Sequence, residues 1–77
     1  MCKENLNREL EEKIETLDFL VNKNDEFIKK AKEISERDDI GDELKSFLLE
    51  TLKDTEFQND KLKELLDIDK KIVEEIK

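Results

Sequence analysis

A chain of 77 residues with one glycine, no proline and 49% charged side chains has the composition of a long-helix protein, which excludes strands and a large enclosed active site. Its 23 acidic against 15 basic residues give a net charge of −8, and the lysines are scattered without interleaved aromatics, so direct nucleic-acid binding is not expected. Histidine is absent as well.

From the N-terminus the first predicted element is an apolar stripe of Leu6, Leu10, Ile14, Leu17, Val21, Asn24, Ile28, Ala31 and Ser35, stepping by threes and fours as one helix face does. It predicts a helix from about Glu4 to Arg37. Pairs with the acid four residues before the base, such as Glu9 with Lys13 and Asp25 with Lys29, add about 0.2–0.5 kcal/mol each to such a helix.

The chain then turns over 38–42, around Gly41, with Asp39 and Asp42 as candidate N-caps of a second helix and the glycine relieving the backbone where the chain reverses. Beyond the turn a second stripe repeats the pattern through Leu44, Leu48, Leu52, Thr55, Asn59, Leu62, Leu66, Asp69, Val73 and Ile76, predicting a helix from about Asp42 to Ile76. Folded back on itself, the chain is an all-α antiparallel helical hairpin of two long helices, one domain over residues 1–77. Equal distances from the turn place Leu17 opposite Leu62, Val21 opposite Asn59 and Asn24 opposite Thr55. A polar layer of that kind would fix the register.

An alternative architecture is a compact bundle of three or four shorter helices. Thr55-Glu56-Phe57-Gln58 matches a capping box, and Asn22 to Asp25 offers another helix start. Either break would shorten the rods.

Nothing here resembles a catalytic constellation. Ser35, Ser46, Thr16, Thr51 and Cys2 have no histidine to act as base, and one glycine cannot build a phosphate loop. The acids Asp38, Asp39, Asp42 and Glu43 miss the calcium-loop pattern, and carboxylate-bridged di-iron chemistry lacks its histidines. No enzyme activity, cofactor or metal is therefore expected. Cys2 reads as a free thiol suited to a reducing cytoplasm, Met1 as the start of a complete small protein, and the longest apolar runs, Phe19-Leu20-Val21 and Phe47-Leu48-Leu49, are too short for a membrane span.

The residues that do point to a function are the apolar ones the seam cannot use. Phe19, Leu49, Phe57 and Ile68 fall off the stripes, while Leu65 and Ile72 widen the apolar face of the second helix; Phe27 and Phe47 read as core. Two helices cannot cover that surface. We therefore expect a protein-interaction module that self-associates, as a homodimer, and binds a partner protein through Phe19, Leu49, Phe57, Ile68 and Ile72. Rows of acids such as Glu11, Glu12, Glu15 and Asp18, or Glu50, Asp54, Glu56 and Asp60, support a second expectation: an inhibitor of the phage or mobile-element type that imitates nucleic acid.

Overall fold

The computed structural model describes residues 3–76, with side chains from Asn5 onward; Cys2 lies outside them. Two helices, α1 (Lys3–Ser35) and α2 (Asp42–Ile76), lie antiparallel in a hairpin 57 × 16 × 14 Å across, and no strand occurs among the described residues. The length is set by α2, whose 35 residues rise about 1.5 Å each.

Neither helix breaks. Thr55 is the reason α2 runs on through the apparent capping box, because its hydroxyl donates to the Thr51 carbonyl at 2.8 Å. A Thr bonded one turn back belongs to the helix interior, and its oxygen is not free to cap a new start. The multi-helix bundle is thus excluded.

Along the seam the helices follow a seven-residue repeat. In α1 its two core positions, a and d, are Asn7, Ile14, Val21, Ile28 and Ser35, and Leu10, Leu17, Asn24 and Ala31; in α2 they are Leu52, Asn59, Leu66 and Val73, and Leu48, Thr55, Leu62, Asp69 and Ile76. All of these are buried or half-buried. Two stripe members depart from the expectation, since Leu6 and Leu44 are 41% and 49% exposed. Both stand one position before the repeat, and Asn7 takes the place predicted for Leu6. Its Oδ1 is buried with no hydrogen-bond partner among the described residues.

At the turn, α1 ends two residues earlier than Arg37. Ser35 donates its hydroxyl to the Lys32 carbonyl at 2.8 Å, and the Arg37 N–H reaches the Ile34 carbonyl at 3.1 Å in a tighter closing turn. The N-cap of α2 is Gly41 and neither Asp39 nor Asp42, because its carbonyl accepts the first helical bond from the Lys45 N–H at 3.0 Å. Gly41 has no positive φ, and a Cβ there would meet nothing, so the reversal does not require glycine. Asp42 and Glu43 in the first turn favour the positive end of the helix dipole. Asp39 is instead bound by Arg37, with Nε to Oδ1 at 2.9 Å and Nη2 to Oδ2 at 2.6 Å.

The register differs from simple reflection about the turn by about one helical turn. Asn24 donates to Asn59 Oδ1 at 3.4 Å, while Asn59 Nδ2 donates to Asp25 Oδ1 at 2.8 Å; Thr55 is not part of the layer. In the same alignment Lys13 Nζ stands 3.2 Å from Asp69 Oδ2, whose side chain is only 4% exposed. The pair is close but not aligned as a hydrogen bond, so charge attraction holds it. Reflection would have set Asp69 opposite Leu10, with a buried carboxylate facing an apolar residue. Avoiding that cost outweighs equal spacing from the turn.

Cross-seam partners also displace the expected pairs within the helices. Among the described residues neither Glu9–Lys13 nor Asp25–Lys29 closes to an ion pair, because Lys13 turns to Asp69 and Asp25 to Asn59 and to Lys63, at 3.8 Å. The ion pairs that do form within helices run three residues apart, Lys23–Glu26 and Lys61–Glu64, both at 3.7 Å on exposed side chains. Such pairs contribute little to stability.

This packing has three measurable consequences. Asn59→Ala leaves Asn24 without its acceptor and opens a void, and is expected to cost about 1–3 kcal/mol in chemical denaturation at fixed protein concentration. Lys13→Leu strands the buried Asp69 carboxylate, so the double variant Lys13→Leu/Asp69→Leu is expected to be more stable than Lys13→Leu alone, by about 1–3 kcal/mol in the same assay. At the turn, the Arg37 guanidinium beside Asp39 holds its carboxyl below the ordinary carboxylate value. A group whose folded pKa is depressed stabilises the fold above its unfolded pKa and loses that contribution as pH falls through the lower value. An NMR titration should place the Asp39 midpoint below that of other exposed aspartates, and Arg37→Ala should return it to them.

Candidate interaction surface

Beside the core positions of an antiparallel pair of helices lie two flanking rows, and each kind meets its own kind across the seam: e faces e and g faces g. The two sides of the hairpin therefore differ in chemistry.

On the e side stand Asp18, Asp25 and Lys32 of α1 and Glu56, Lys63 and Lys70 of α2. Asp25 bridges the seam there to Asn59 and Lys63, and a polar hollow is lined by Asp25, Lys32, Glu56, Asn59 and Lys63. Acids and lysines of both helices share this side, and Asp25 with Lys63 is the ion pair that closes across it among the described residues. Among the described residues no three potential metal ligands gather, here or elsewhere.

The g side is apolar. From α1 it receives Leu6, Leu20, Phe27 and Ile34, broken only by Lys13, and these four are 38–41% exposed. From α2 come Leu44, Leu65 and Ile72, with Thr51 and Gln58 between them. In the observed register the two rows interleave, with Leu65 lying near the level of Leu20. Half-exposure is what a flanking row shows when one neighbouring helix covers it and a second does not. Phe27 is thus a surface residue and not core, a reading its helical spacing concealed.

The five residues singled out from the sequence, Phe19, Leu49, Phe57, Ile68 and Ile72, are all exposed, but they do not form one patch. Ile72 belongs to the g side and Ile68 borders it. Leu49 lies on the e side. Phe19 and Phe57, 59% and 64% exposed, occupy the positions opposite the seam on their respective helices, so they point away from each other. Each carries a lysine one turn later over its ring, Lys23 Nζ at 5.7 Å from the Phe19 centroid and Lys61 Nζ at 5.5 Å from that of Phe57. Cation–π attraction at an exposed site is worth about 0.5–1 kcal/mol and shields part of each ring, which offsets the exposure of both phenylalanines. Phe47, at 63%, is also exposed, because the first turns of α2 run beyond the end of α1.

Sequence reasoning missed the g rows of Leu20, Phe27, Ile34 and Leu44. The signal was present as a repeat of seven, but its meaning depends on which residues take the core positions. No helix of the described chain is long and apolar enough to cross a membrane. Compared with protein-family models, with curated proteins and with solved structures, the chain matches none.

Proposed function

We propose that this chain is a small acidic helical interaction module, which self-associates and binds or regulates a partner protein, performs no catalysis, and works in a reducing cytoplasm. The observation that carries this reading is area. The single chain exposes 6176 Å², whereas a compact monomer of 9.2 kDa exposes roughly 4,900 Å². About 1,200 Å² is therefore surplus for a chain of this mass, and twelve large apolar side chains are among the exposed residues. Covering that surface against another protein releases water from it and stabilises the complex by the ordinary hydrophobic effect.

A second reading is supported by where the acids lie. Outside the seam and the apolar side, acids such as Glu12, Glu15, Glu50, Asp60 and Asp67 face solvent. An electronegative outer face of that kind fits a basic groove, as an inhibitor imitating a phosphate backbone requires. The two readings separate by their response to salt.

Sedimentation equilibrium at tens of micromolar is expected to give twice the chain mass, with an association that hardly weakens as salt is raised. A single-chain mass across that range would remove the self-association. For a captured target, affinity falling steeply with salt would favour imitation of nucleic acid, and a flat response would favour apolar docking.

A further inference from the structure

We propose that the side of the hairpin built from the two g rows is the docking face for a second copy of this chain, so that two hairpins become one four-helix bundle. The proposal rests on self-association and assigns it a surface.

Pattern is the first support. Two helices alone need only the a and d positions, two in seven. A helix in a four-helix bundle needs a third apolar position, e or g, and here both helices supply it at g: Leu20, Phe27 and Ile34 on α1, Leu65 and Ile72 on α2. The e rows, by contrast, are mostly charged, and Asp25 pairs with Lys63 across the seam. One side of the molecule thus has the residues of a bundle core and the other those of a bundle surface.

Charge is the second. Two molecules of net charge −8 repel, and most faces would set carboxylate against carboxylate. The g rows and the adjoining c rows of the two helices hold only Glu9, Asp54 and Glu75 of the acids, against Lys13, Lys23, Lys30 and Lys61. This face is close to neutral. It is where two copies can approach without stacking their negative charge.

Extent is the third. A side 57 Å long and 16 Å wide hides on the order of 800 Å² per copy, which is what a stable interface requires from each partner and accounts for most of the surplus area. A second copy brings a face of the same length, the same half-exposed row and the same near-neutral rim, and a two-fold axis sets them together with nothing left over. Phe19 and Phe57, opposite the seam, stay outside this contact.

The test compares two lysine pairs by sedimentation equilibrium over a wide concentration range. Leu20→Lys/Leu65→Lys places charges on the g side, twice over in a two-fold contact, and is expected to weaken dimerisation at least about tenfold. Phe19→Lys/Phe57→Lys is expected to change it by less than about twofold. Dimers that survive the first pair and fail with the second overturn this assignment while leaving self-association intact, whereas a monomeric unaltered chain sinks both. If circular dichroism shows that the first pair has lost its helices, alkylation decides in a Cys2→Ser background. The thiol of Gln58→Cys, on the g side, should react more slowly as concentration rises through the transition, and that of Glu64→Cys, on the outer face, should not. Equal protection of both thiols, or protection of Glu64→Cys alone, overturns the proposal.

Discussion

Two helices in contact along one line can hide only a narrow strip of each, about two positions in seven, and this limit governs the whole molecule. The chain fills that strip and then continues to place large apolar residues beside it. Leu20, Phe27, Leu65 and Ile72 are consequently left about two-fifths exposed, as one flank of an incomplete core. A third and fourth helix packed on that flank would complete it.

The seam is less apolar than its length allows. Asn59, Asp69 and Ser35 are buried in it, with Asn24 and Asn7 partly so, and each polar group forgoes apolar contact that Leu or Ile would have made. What Asn24, Asn59 and Asp69 contribute is alignment. Asn59 is satisfied only when Asn24 and Asp25 stand across from it, and Asp69 only when Lys13 does, and one register meets both conditions. Sliding the helices by a turn would leave an amide and a carboxylate buried without partners, a penalty larger than the small differences between competing apolar packings. Uniform leucine stripes slide; this one has two locks.

Distribution of charge obeys the same division. On the e side acids and lysines are mixed, with Asp25 and Lys63 paired across the seam; the outer faces carry the surplus of carboxylates; the g side has few charges of either sign. Charge and apolar surface therefore lie on different faces of one thin rod. The strong net charge opposes approach of two such molecules through their acidic faces and opposes it least along the apolar flank.

Much of this was legible in the amino-acid order alone. The three-and-four spacing identified two long helices, nearly every seam residue and the surplus of apolar surface, because helical periodicity is a local property that each stretch of chain expresses by itself. Phe19, Leu49, Phe57 and Ile68 could be placed outside the seam for the same reason. Tertiary structure alone decided the register, the partners of Asp25 and Lys13, the N-cap at Gly41, the early end of α1 at Ser35, and the joining of two g rows into one apolar flank. The two helix ends rest on local hydrogen bonds at the turn, whereas the register and the partners of Asp25 and Lys13 depend on which polar groups find each other across the seam, and a contest between residues far apart in the chain leaves no mark on the local pattern of either helix.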